Sequence, residues 1–128
     1  MIKISEPLQQ VRDYERERAI GQDTDDRPLF HLTPLTGWMN DPNGFCWYRG
    51  QYHLFYQYYP YSCHWGLMHW GHSVSTDLLH WTYLPCALAP DTDADAAGCF
   101  SGSAVETPDG RMMLCYTGVP PILAIGRK

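Results

Sequence analysis

The sequence predicts an all-β protein, with one complete four-stranded antiparallel unit and the start of a second, set out in the rhythm of a β-propeller behind a short N-terminal helix. Three observations carry this expectation. Helical spacing of apolar residues is confined to residues 6–20. Beyond Asn43, short runs rich in aromatic and β-branched residues alternate with turn signals. Aromatic residues make up 14% of the chain and concentrate between Phe30 and Tyr83, where flat rings suit a pleated sheet.

The helix is read over residues 6–20. Ser5 is placed to cap it, Pro7 falls in the first turn, and Leu8, Val11, Tyr14 and Ala19 form a narrow apolar stripe among charges. This is the pattern of a surface helix lying on the body of the protein. Gly21 to Arg27 carries three aspartates and reads as a polar link. Gly44–Tyr48 and Gln51–Tyr58 are strand-like and meet at Arg49-Gly50, a hairpin signal. Met68–Ser75 and His80–Leu84 form a second pair joined around Thr76-Asp77. After the acidic, turn-rich stretch Asp91–Gly98, Cys99–Glu106 and Arg111–Thr117 flank Pro108-Asp109-Gly110 as another hairpin. Four strands followed by a fresh pair fit successive propeller blades, although a sandwich shares the spacing. The open unit leaves strand edges uncovered, so self-association through exposed sheet edges is expected.

Bulk properties narrow the function. A net charge of -5 and a pI near 5.5 argue against nucleic-acid and anionic-membrane partners, which need a basic face. No apolar run reaches the roughly 20 residues of a membrane span, and no apolar signal core follows Lys3. Five cysteines, an odd number without a C-x-x-C pair, fit reduced thiols and a cytoplasmic location. His64, His69 and His72 cluster in sequence, but on a strand His69 and His72 point to opposite faces. Asp91-Thr92-Asp93-Ala94-Asp95 opens like a calcium loop, yet Ala96 and Gly102 stand where that loop needs Gly and Glu. No Walker-type phosphate loop occurs. No metal and no cofactor are expected.

The chemistry centres on Trp38-Met39-Asn40-Asp41-Pro42-Asn43-Gly44, which contains the only two asparagines of the chain. Pro42 biases Asp41 toward extended backbone, and Asn43-Gly44 offers a tight turn. A carboxylate on a stiff backbone between amide side chains suits a positioned nucleophile. Read alone, the same string also suits an Asx-type turn that uses Asp41 for local amides.

The wider context resembles glycoside hydrolase family 32, the invertases, sucrose-6-phosphate hydrolases, inulinases and levanases. The resemblance runs from about Pro28 to Gly118. Besides the first string it includes Tyr52-His53-Leu54-Phe55-Tyr56-Gln57-Tyr58, His64-Trp65-Gly66, Met68-His69-Trp70-Gly71-His72, Asp77-Leu78-Leu79-His80-Trp81 and Gly98-Cys99-Phe100-Ser101-Gly102-Ser103. It implies a five-bladed β-propeller, of which this chain holds the first blade and the start of the second. The domain organisation it implies is a helix and linker over 1–27, the N-terminal part of the catalytic propeller over 28–118, and a divergent tail over 119–128. It also implies hydrolysis of β-fructofuranosidic bonds, in sucrose or sucrose 6-phosphate, by a retaining double displacement on a small sugar substrate. By the resemblance, Asp41 is the nucleophile. Asn40 bonds fructose hydroxyls, Gln57 and Trp65 line the pocket, and Phe100 and Ser101 stand at its rim.

The same resemblance exposes a gap. The family's transition-state-stabilising Asp sits in an Arg-Asp-Pro string and its acid/base Glu in a Glu-Cys string, and this sequence has neither. A second reading is therefore a non-catalytic sugar-binding or structural fragment from a disrupted gene. A third, a five-bladed propeller acting on arabinan or xylan, is opposed by the Trp38–Gly44 string.

Overall fold

The computed structural model describes residues 3–22 and 25–121. Its elements are α1 (Glu6–Ala19), β1 (Trp38–Tyr48), β2 (Gln51–Tyr59), β3 (His69–Ser75), β4 (Thr82–Leu88), β5 (Cys99–Glu106) and β6 (Met112–Gly118). Strands β1 to β4 form one antiparallel sheet in sequence order, and β5 pairs with β6 in a second. The described residues are thus mostly β, with one short helix, and the complete unit and the fresh pair are both present. The expected divergent tail falls largely on residues 122–128, outside the described residues.

The turns form for the reasons their residues suggest. Arg49 and Gly50 both have positive φ, 47° and 83°, the two left-handed positions that match the twist of a two-residue hairpin. Gly110 takes φ 75° at the β5–β6 turn, where the Thr107 amide bonds the Arg111 carbonyl at 2.8 Å. The fourth strand starts at Thr82 rather than His80. Asp77 Oδ1 accepts the Leu79 and His80 amides at 2.9 and 2.8 Å, which coils those residues into a turn.

The helix departs from expectation in its cap and its depth. Ser5 makes no side-chain cap bond, and its hydroxyl is buried without a partner; only its carbonyl joins the helix, accepting the Gln9 amide at 2.9 Å. Val11 is fully buried among Tyr56, Tyr58, Cys86 and Ala89, with Leu8, Leu32 and Met39 around them. One turn on, Glu15 is buried too and accepts the Cys86 amide at 2.9 Å, while Arg12 Nε donates to the Cys86 carbonyl at 2.9 Å. α1 is therefore docked onto β4 through both backbone groups of one residue. Cys86 is available because Pro85, Cys86 and Ala87 together face the single Gly71 of β3. A widened edge strand also tolerates Pro85, which has no amide to pair.

Alternation along β2 divides the two sides of the sheet. Tyr56 and Tyr58 face the helix, while Phe55 joins Trp70 and Cys99 against Ala104, Met112 and Leu114 of the second sheet. The first sheet is thus sandwiched between α1 and β5–β6. Among the described residues, no helix is long and apolar enough to cross a membrane.

Candidate active site

Asp41 owes its position to irregular pairing in β1. Between Met39 and Pro42 the register slips, so that Asn40 and Asp41 together stand opposite Gln57. Between Asn43 and Cys46 it slips again, and Gly44 and Phe45 stand opposite Leu54. These are β-bulges, which bend a strand and re-aim its side chains. They also accommodate Pro42 inside the strand. The tight turn expected at Asn43-Gly44 is therefore not formed; the two residues continue β1 through the second bulge. Gly44 has φ 54°, and a Cβ there would lie 2.8 Å from the Phe55 ring and 3.2 Å from Ala104 Cβ. Glycine at this point lets β1 approach β2 and β5 at once.

The second sheet answers residue by residue. Gln57 Nε2 donates to the Cys99 carbonyl at 3.0 Å, and Gln57 is buried, not turned to solvent. Trp65 meets Phe100 edge to face, centroids 6.3 Å apart, and Trp70 Nε1 donates to the Phe100 carbonyl at 3.0 Å. Ser101 Oγ reaches Asp41 Oδ2 at 3.5 Å, at the long limit of a hydrogen bond. The Gly102 amide donates to Asn43 Oδ1 at 3.3 Å. Four consecutive residues of β5 thus each receive a side chain from the first sheet or its loops. Ser101 is itself a bulged residue, since Phe100 pairs with Thr117 and Gly102 with the adjacent Tyr116.

Of the sequence-derived candidates, Asp41, Gln57, Trp65, Phe100 and Ser101 are therefore gathered along the start of β5. Asn40 shares the bulge with Asp41, but its Oδ1 accepts the Trp38 indole N–H at 2.8 Å. Asp41 is exposed and Trp65 is 57% exposed, so both are open to a ligand. Asn43 and Trp70 were not singled out from sequence as site residues, yet both hold β5 in place. The cue for Asn43 lay in its being one of two asparagines in the chain; Trp70 gave none, because an aromatic in a strand reads as core.

The other polar clusters have structural duties. Asp95 is 1% exposed; its Oδ1 accepts the Asp91 and Thr92 amides and the Thr92 hydroxyl, and its Oδ2 accepts Tyr116 Oη at 2.7 Å. Desolvation pushes its carboxyl up, but these donors outweigh it and hold the group below its ordinary value. The calcium-like stretch is thus a self-satisfied turn. His72 Nε2 lies 3.0 Å from His53 Nδ1 and its ring stacks on Phe55 at 4.1 Å, while His69 Nδ1 bonds the Leu67 carbonyl at 2.7 Å. Among the described residues, no three His, Cys, Asp or Glu converge as a metal site.

The sequence pattern of the Glycosyl hydrolases family 32 N-terminal domain matches residues 31–122, which include every strand and every residue of this seam. The chain belongs to glycoside hydrolase family 32. Within the family it is 62% identical over 91 residues to a sucrose-6-phosphate hydrolase of Zymomonas mobilis, covering 71% of this chain and 18% of that protein. A raffinose invertase of Escherichia coli is 56% identical over 91 residues, 71% of this chain and 19% of that one. The structure of sucrose-6-phosphate hydrolase from Lactobacillus gasseri superimposes with a TM-score of 0.70 at 44% identity, over 86% of this chain and 22% of that one. The chain thus spans about a fifth of the length of these family 32 relatives.

Proposed function

We propose that Asp41 is the nucleophile of a retaining β-fructofuranosidase acting on sucrose or sucrose 6-phosphate, with Asn40, Gln57, Trp65, Phe100 and Ser101 shaping the fructose pocket. The observation that carries this reading is the Asp41 carboxylate itself. It is exposed on a bulge, restrained through one oxygen by Ser101, and set in a seam formed by the family's strings. Ser101 engages Oδ2 and leaves Oδ1 to attack the anomeric carbon, forming a fructosyl ester as the glycosidic C–O bond breaks. Trp65 and Phe100 offer rings for the sugar's C–H face. The departing oxygen needs a proton, and the ester needs an activated water; the resemblance assigns both tasks to the Glu of a Glu-Cys string, absent from these 128 residues.

The same reading makes the two sheets the first blade and the start of the second in a five-bladed propeller, with residues 28–118 belonging to the catalytic domain and residues 1–27 to an appended helix and linker. The five cysteines, all free thiols, support action in a reducing compartment such as the cytoplasm.

The test uses a donor whose leaving group requires no proton. With β-fructofuranosyl fluoride, Asp41 forms the C–O bond as the C–F bond breaks and fluoride departs. Without an acid/base residue the ester accumulates. Intact-mass and peptide analysis should find one fructosyl group on Asp41, and none in Asp41→Asn. A folded chain that takes up no label, or takes it elsewhere, refutes the assignment.

A further inference from the structure

We propose that Asn43 is a positioning residue for Asp41: by accepting the Gly102 amide it fixes Ser101, and through Ser101 the carboxylate, at the seam of the two sheets. This deepens the reading of Asp41 as nucleophile and rests on it. Asn43 is 4% exposed, and its Oδ1 accepts Gly102 N–H at 3.3 Å. It stands two residues beyond Asp41 on β1, and Gly102 follows Ser101 on β5. One side chain therefore bridges the two backbone segments that carry the interacting pair.

Ser101 needs such support because it is the extra residue of a bulge, where the β5–β6 register shifts. Its flanking peptides are held by side chains, the Phe100 carbonyl by Trp70 Nε1 at 3.0 Å, the Ser101 carbonyl by Thr117 Oγ1 of β6 at 3.1 Å and the Gly102 amide by Asn43. Gly102 is itself confined, since a Cβ there would lie 2.0 Å from the Cys115 carbonyl oxygen. Releasing the Asn43 end unties the Ser101–Gly102 peptide from the first sheet and leaves it to Thr117 of β6.

The choice of an amide is informative. Asn43 Nδ2 is buried without a hydrogen-bond partner. An aspartate would accept the same amide and leave no orphan donor. It would also set a second carboxylate two residues from Asp41, and a like charge disfavours the ionised nucleophile. Asparagine keeps the tie and spares the charge on Asp41.

The experiment follows labelling by β-fructofuranosyl fluoride and amide hydrogen exchange in the 128-residue chain with Asn43→Ala and Asn43→Asp. In Asn43→Ala, exchange at Gly102 accelerates while distant β5–β6 amides keep their protection. Labelling at saturating donor falls at least about tenfold, with the half-saturating concentration unchanged. Asn43→Asp keeps Gly102 protected and, because the tie is kept, should label at close to the wild-type rate on the alkaline plateau, while its like charge moves only the acid limb to higher pH. Wild-type labelling rates in Asn43→Ala, or a plateau rate in Asn43→Asp as low as that of Asn43→Ala although Gly102 stays protected, overturn the proposal. If Asn43→Ala does not fold, the Asn43→Asp plateau rate and its Gly102 protection decide together. A wild-type chain that does not label overturns the reading of Asp41, and the positioning role with it.

Discussion

At the scale of single residues, the seam works by handing backbone groups of β5 to side chains of the first sheet. Gln57 shows how much such a group carries. It is 3% exposed in a strand otherwise full of rings, and its amide donates to the Cys99 carbonyl at 3.0 Å. Replacing it by leucine fills the space but leaves a buried carbonyl without a donor, which costs about 1–3 kcal/mol. Gln57→Leu should therefore lower the urea midpoint without changing the slope, and should slow labelling of Asp41 because the start of β5 loosens. An unchanged midpoint would show that the Cys99 carbonyl finds another donor. Gln57 was legible as a site residue only through the family string; from the residues alone it suited a solvent-facing position equally well. Asn43 was harder still, because two bulges in one strand defeat any alternation count, and its partner is a backbone amide that no side-chain pattern announces.

At the scale of elements, α1 and the β2–β3 pair respond to pH in opposite directions. On α1, burial pushes the Glu15 carboxyl above its ordinary value, against the opposing pull of the Cys86 amide, the Tyr58 hydroxyl and the Arg12 charge. A raised acid contributes stability that is present below the unfolded pKa and is lost as pH rises through the folded one. Glu15→Gln keeps an acceptor for the Cys86 amide and for the Tyr58 hydroxyl that faces it. This variant should be more stable than wild type in urea at pH 7, and the gap should close below about pH 4.5. A less stable variant at pH 7 would mean that the ionised carboxylate is needed to dock α1. The helix itself was evident from its spacing, but the apolar stripe gave no sign that its deepest contact is a charged residue.

Between β2 and β3, burial lowers His72 to about 4, the neighbouring His53 adds to the effect, and burial lowers His53 as well. A depressed base contributes stability that is present above the unfolded value, ordinarily near 6.5, and is lost as pH falls through the folded one. The fold should weaken as pH drops from about 6.5 toward 4. His72→Phe, which keeps a ring on Phe55, should flatten that loss when urea midpoints are compared across the window. A variant with the wild-type slope would place the acid sensitivity elsewhere.

At the scale of the whole chain, the strands, their order and the seam hold together, and none of the glutamates stands where the chemistry needs a second carboxyl. The four glutamates are Glu6, Glu15, Glu17 and Glu106. Three lie on α1, and the one nearest the sheet, Glu15, is engaged by Cys86 beneath the face opposite the seam. Glu106 ends β5, five residues from Ser101. At the rise of an extended strand that is about 16 Å, against the roughly 5–5.5 Å that separates the two carboxyls of a retaining pair. Asp95 is buried and committed to Thr92 and Tyr116. Sucrose presents a sugar alkoxide as leaving group, and without a proton donor that departure is slowed by ~10²–10⁴. The 128-residue chain should therefore release no measurable reducing sugar from sucrose or its 6-phosphate, even where it takes a fructosyl label from the fluoride. The contrast between the two donors is the measurement, with Asp41→Asn as the blank for both. The chain should also be assayed across a range of concentrations, because Phe45 and Trp47 on β1 and Val105 and Met113 on the second sheet are exposed beside unpaired strand edges. Turnover of sucrose that rises with the square of chain concentration and vanishes in Asp41→Asn would mean that a second copy supplies the acid. Turnover linear in concentration would mean that a carboxyl within one chain reaches the seam, contrary to the placement of Glu106 on β5.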